Sequence, residues 1–167
     1  MRDTDRRTFL RATGLAGGLA LTGVAAGQET TTAEGNGDED AGLVTVSSDE
    51  DFDATVERIR TSIEDSENMT LVTTVDHAAN ADSVGMDLRP TTVILFGNPQ
   101  IGTRLMRRSQ SAGIDLPQKM LVWEAEDGSV NVTYNDPEWI AERHEVEASQ
   151  MLIQQVSTAL DSLATGE

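Results

Sequence analysis

The sequence predicts one small domain built from both strands and helices. Three observations carry this. Phe52, Val56, Ile59 and Ile63 recur at spacings of four, three and four, which is one face of a helix, and Leu152, Val156, Ala159, Leu160 and Leu163 repeat the pattern near the C-terminus. Short runs rich in β-branched residues, such as MTLVTTVD and TTVILFG, stand between turn signals. The pair KMLVWEA and SVNVTY is joined through Asp127-Gly128, the chemistry of a hairpin turn. A chain of 167 residues is long enough for one domain with a real core.

In chain order, Leu43 to Ser47 reads as the first strand. Ser47, Ser48, Glu50 and Asp51 supply capping chemistry for the helix bearing Phe52 to Ile63, which is expected to end near Glu67-Asn68. The second strand covers 69–76. HAANADSVG follows as an irregular or one-turn segment closed by Gly85. The run 91–97 is nearly continuously apolar and is expected to be a central strand buried on both faces. LFGNPQIGT then turns from strand to helix, with Asn98 as N-cap and Pro99 as first helical residue. Ile101, Leu105 and Ala112 are expected to face a core, with Arg104, Arg107 and Arg108 facing away and Gly113 ending the helix. The hairpin strands are placed at 119–125 and 129–134. In NDPEWIAERH, Asn135 or Asp136 caps and Pro137 enters a short helix. A C-terminal helix completes the domain, which is expected to span 43–164.

The N-terminus has a different character. Arg6-Arg7 followed by Thr8-Phe9-Leu10 resembles a twin-arginine export motif. Residues 12–26 are apolar but diluted by Gly and Thr, too short for a good membrane span, and end in a small-residue cleavage site at Val24-Ala25-Ala26. Residues 1–26 therefore read as a twin-arginine signal, and the protein as exported, secreted or surface-associated. Contact with a membrane is expected only through an uncleaved signal. Residues 27–42, GQETTTAEGNGDEDAG, lack large apolar groups and read as a disordered acidic linker.

Composition narrows the chemistry. The absence of cysteine excludes disulfides, thiolate metal sites and cysteine nucleophiles. Acidic residues number 29 against 12 basic, for a net charge of −17, and Lys119 is the sole lysine. Such a surface suits a protein kept soluble in high salt, where self-repulsion is screened. Loss of residues 1–26 removes four Arg and two Asp, which takes the net charge from −17 to −19. No nucleic-acid partner is expected, since phosphate contacts need basic clusters.

The runs VDHAANADSVGMDLRPTTVILFGNPQIGTRLM and IDLPQKMLVWEAEDGSVNVTYNDPEWIAERH resemble the domain-of-unknown-function 302 family. The combination of His-Ala-Ala, Gly-Asn-Pro-x-x-Gly-Thr, Asp-Leu-Pro and Tyr-Asn-Asp-Pro in this order carries the resemblance, over about residues 50–160. It implies an α+β fold, a mainly antiparallel curved sheet with helices packed on it, likened to the TATA-binding protein. Pairing into homodimers is implied by analogy. The acidic composition and export motif point to an exported, haloarchaeal-type member. The family has no established activity, so the resemblance supplies no reaction. Gln100 stands where the family usually has Lys, which removes a cation from the helix entry.

GNPQIGT reads as a structural turn, because neither the P-loop pair nor the dinucleotide glycine spacing is present. His77, beside Asp76, is the leading candidate for a site; His144 at the end of a short helix suits the helix dipole. Neither histidine stands in a zinc motif, so no metal ligands are assigned, and the cofactor stays unknown. No serine sits in a nucleophile elbow. Asp76, Asp87, Asp115 and Asp136 are too scattered in sequence for a paired acid–base site. Trp123 and Trp139 read as core or dimer-interface anchors. Arg104, Arg107 and Arg108 are expected to pair with acidic groups of the chain or of a dimer mate. The first functional reading is an exported, non-catalytic domain that binds a small molecule or protein partner as a homodimer, with candidate ligand contacts His77, Asn98, Tyr134 and Asn135. The alternative is an enzyme or a metal- or cofactor-binding protein using His77 with Asn98 and Asn135.

Overall fold

The computed structural model describes residues 42–147 and 150–167. The export signal and all but the last residue of the linker lie outside the described residues.

Strand β1 (Leu43–Ser48) leads to helix α1 (Phe52–Glu64). Then come β2 (Thr70–Asp76), α2 (His77–Asp82), β3 (Thr91–Gly97) and α3 (Pro99–Arg108). A 3-10 turn (Gln110–Ile114) precedes β4 (Gln118–Glu124) and β5 (Val130–Asn135). Helices α4 (Pro137–Arg143) and α5 (Gln150–Thr165) complete the chain. The five strands form one sheet in the order β1-β5-β4-β3-β2. Every neighbouring pair is antiparallel. This is the α+β sheet-and-helix architecture expected.

The capping residues do what their chemistry predicts. Asp51 accepts from the Ala54 N–H at 2.9 Å and starts α1. Asp136, rather than Asn135, caps α4, accepting from the Glu138 N–H at 2.8 Å, while Asn135 is the last residue of β5. Asn98 caps α3 with Pro99 in its first turn. Gly128 supplies the positive φ of the β4–β5 turn.

The core forms on one face of the sheet. Ile94 and Phe96 of β3, Met120 and Val122 of β4, and Val130, Val132 and Tyr134 of β5 pack with Ile59 and Ile63 of α1 and with Leu160, Leu163 and Ala164 of α5. Strand β3 departs from its expectation. Thr92, Ile94 and Phe96 are buried, while Val93 and Leu95 between them are only partly buried. An apolar run does not by itself say whether both faces are covered, and here both long helices lie on the same side. Two other boundaries differ. Helix α1 ends at Glu64, three residues before its expected end. Helix α3 ends at Arg108, because Ser109 is extended, and Gly113 sits inside the following 3-10 turn with no positive φ. Ala112 is buried, as expected, but from that turn and not from α3.

Candidate functional site

The register shows where each candidate residue stands. Asp76 pairs with Thr92 and Thr70 pairs with Gly97. His77, which follows Asp76, and Asn98, which follows Gly97, therefore lie at opposite ends of the β2–β3 ribbon. Six residues of strand separate them, or about 20 Å. Met120 pairs with both Ile94 and Tyr134, which puts Asn135 at the same end of the sheet as Asn98, with β4 between their strands. No small molecule can touch His77 and Asn98 together. His77 is exposed on the first residue of α2, where Asp76 is engaged as the N-cap. Asn98 uses its side-chain oxygen on the N–H groups of Gln100 (2.9 Å) and Ile101 (3.1 Å). Tyr134 points into the core, and burial, helped by Asp161 and Asp136, raises its hydroxyl pKa above the ordinary 10.0.

The structure instead gathers a set that sequence separation hides. His144, the C-cap of α4, is 7% exposed, and Asp115, after the 3-10 turn, is 9% exposed. Nε2 of His144 lies 2.5 Å from Oδ2 of Asp115. Nδ1 lies 2.9 Å from the hydroxyl of Ser111, which is exposed. With the Nε2–H donated to Asp115, Nδ1 keeps a lone pair for the Ser111 hydroxyl. Arg143 reaches the same carboxylate at 3.2 Å and lies over the Trp139 ring, 5.0 Å from its centre. Lys119 donates to the carbonyls of Asp115 (3.1 Å) and Pro117 (3.3 Å), which ties the loop bearing Asp115 to β4. Ser109 stands 3.0 Å from Ser111, oxygen to oxygen. The signal in the sequence was thin: one of only two histidines ends a Pro-started helix, and its partner lies 29 residues away. Among the described residues no group of three or more His, Asp or Glu is placed to hold a metal ion.

Of the three arginines expected to form ion pairs, Arg108 donates to the backbone carbonyl of Glu147. Neither tryptophan belongs to the buried core. Trp139 packs on Gly42, and Trp123 lies on the open face of the sheet, its Nε1–H donating to Thr133 at 3.0 Å. The Thr133 hydroxyl continues to Thr45 at 2.9 Å, so a line of side-chain bonds crosses β4, β5 and β1. That open face has a distinct composition. Its outward positions include Val75, Val93, Leu95, Leu121, Trp123 and Leu43, and none of them is Asp or Glu. The chain as a whole has 29 acidic residues out of 167.

Comparison with known proteins gives a family without a reaction. The chain is 42% identical over 127 residues to a protein of Brucella suis named fluoride-specific ion channel FluC 1, a match that covers 76% of this chain and 47% of that protein. A Brucella abortus protein of the same name is also 42% identical over 127 residues, with 44% of its length covered. The chain thus spans less than half the length of these curated relatives. Among solved structures, an uncharacterized conserved DUF302 protein from Bacillus stearothermophilus superposes with a TM-score of 0.65 at 18% identity, over 74% of this chain and 96% of that one, which shows a shared fold. The family model for the domain of unknown function DUF302 matches residues 44–163, the whole span from β1 into α5, and this chain belongs to that family.

Proposed function

We propose that this protein is an exported DUF302 binding domain that works as a pair of identical chains, joined through the open face of the sheet. The acid-free composition of that face carries the reading. A two-fold interface sets each residue against the same patch on the partner, so any carboxylate there would meet its own copy. On a chain of net charge −17, self-association is favoured where no carboxylates stand. Leu121 and Trp123 supply an apolar and aromatic centre of the kind that anchors interfaces, and the Thr133–Thr45 line satisfies the polar groups around it. The bound molecule is a small ligand or protein held by the paired chains. The match covers less than half of each protein named a fluoride channel. Among the described residues no helix is long and apolar enough to cross a membrane.

Sedimentation equilibrium in molar salt tests the pairing. The wild type is expected at about twice its 18.0 kDa chain mass if the signal is retained, and at twice the shortened mass if it is cleaved. Leu121→Glu places a carboxylate at the centre of the face and should yield monomers with an almost unchanged melting temperature, since Leu121 lies outside the buried core. A wild type that stays monomeric at every concentration refutes the reading. Export rests on the arginine pair: Arg6→Lys with Arg7→Lys should leave precursor in the cytoplasm, and normal secretion of that variant would end the claim.

A further inference from the structure

We infer that Ser111, His144 and Asp115 form a nucleophilic site that cleaves activated esters. This goes beyond the binding role above and departs from the non-catalytic expectation. The nucleophile is exposed, while its base and the group orienting that base are buried beneath it. The polarity of the chain is the one acyl transfer needs: Asp115 takes the Nε2–H of His144, and Nδ1 accepts the Ser111 proton at 2.9 Å. The two ring nitrogens are exchanged relative to the usual serine triad, and either one can serve as the base. Arg143 and Lys119 hold Asp115 and its loop, so the imidazole is fixed from below. The Ser109 hydroxyl, 3.0 Å from Ser111, is placed to donate to an oxygen that gains charge at the attacked carbon. An apolar hollow of about 50 Å³ lies nearby, lined in part by Ala112, Leu116, Ile140 and Ala141, and none of Ser111, His144 and Asp115 lines it.

In the first half-reaction the Ser111 oxygen bonds to the ester carbonyl carbon and its proton passes to Nδ1. The tetrahedral adduct then breaks its bond to the alkoxy oxygen, which takes the proton from His144 and leaves as the alcohol. In the second half, water attacks the acyl-serine while His144 accepts its proton. The Ser111 oxygen leaves, recovers that proton, and the carboxylic acid is released.

The test uses the full chain in molar salt. A fluorophosphonate probe should add one phosphonyl group, mapped by peptide mass to Ser111, and p-nitrophenyl acetate should be hydrolysed. Ser111→Ala, which keeps His144 and Asp115 bonded to each other, should lose both. His144→Gln and Asp115→Asn should slow labelling by about 10²–10⁴-fold, the scale of a positioned general base. Because those two variants disturb buried groups, the change at the exposed Ser111 carries the test independently of them. No adduct on the wild type, or an adduct that survives Ser111→Ala, overturns the site.

Discussion

Replacing Asn98 by alanine tests whether LFGNPQIGT is a structural turn. The Asn98 oxygen accepts from two backbone N–H groups at the start of α3, Gln100 at 2.9 Å and Ile101 at 3.1 Å. Alanine leaves both donors to water. Loss of an N-cap costs about 0.5–2 kcal/mol, and two good bonds at a partly buried position place this one in the upper half of that range. For a domain of this size the expected fall in melting temperature is about 3–10 °C. Asn98→Asp keeps the acceptor and adds a charge that the helix N-terminus favours, so it should recover most of the loss. Pro99→Ala should cost less, about 0.4–1 kcal/mol, through the added freedom of the unfolded chain. The assay is a set of thermal melts in molar salt, with helicity followed by circular dichroism. If Asn98→Ala melts like wild type while Asn98→Asp does not, capping is not what fixes this residue, and the turn exists for some other contact.

Gly42 has φ of +72° and a Cβ built there would lie 2.2 Å from the Trp139 ring, whereas Gly128, at φ +83°, faces open space. Gly128→Ala should therefore cost only the left-handed backbone penalty of about 1–2 kcal/mol, and Gly42→Ala should cost clearly more; equal melts would mean that Trp139 yields freely. Tyr134 has its pKa raised in the folded state, so its contribution to stability is complete below the unfolded value of about 10 and is lost as pH rises through the folded value. Wild type should lose stability in that alkaline window and Tyr134→Phe should lose less, as read by melts at stepped pH. Melting temperature should also climb from low to molar salt, because a net charge of −17 repels itself when unscreened, and a flat response would count against adaptation to high salt.

The elements were legible where one residue type has one local use. Asp51, Asn98 and Asp136 cap helices in the structure because a short polar side chain before an apolar stripe has free N–H groups to meet. The hairpin at Asp127-Gly128 follows from the positive φ of Gly128 and the bonds Asp127 accepts from Ser129. What stayed hidden was decided by non-local packing. The run 91–97 looks the same whether one face or two are covered, and the placement of α1 and α5 on one side leaves Val93 and Leu95 only partly buried. The candidate site was read from neighbours in sequence, so His77 drew attention through Asp76. That aspartate is spent on the α2 N-cap, and the partnered histidine is His144, whose carboxylate comes from a separate loop. Tyr134 shows the same limit. A strand presents alternate residues to opposite faces, and the register puts Tyr134 inward and Asn135 outward.

The acidic composition ties stability and assembly to one variable without making them one event. Charge on the chain as a whole resists folding and pairing alike, and salt relieves both. The open face carries no carboxylates, so the local part of that resistance is absent there, and pairing should need less screening than an average patch of this surface would. The Ser111 set touches that face at Lys119, which holds the loop bearing Asp115. His144 ends α4 and Asp115 follows the 3-10 turn, away from Leu121 and Trp123 in the register. A carboxylate introduced at Leu121 should therefore separate the chains and leave the Ser111–His144–Asp115 bonds in place. Removal of the Ser111 hydroxyl should silence labelling and leave the chains paired. The two readings turn on different residues and different measurements, so the failure of either one leaves the other standing.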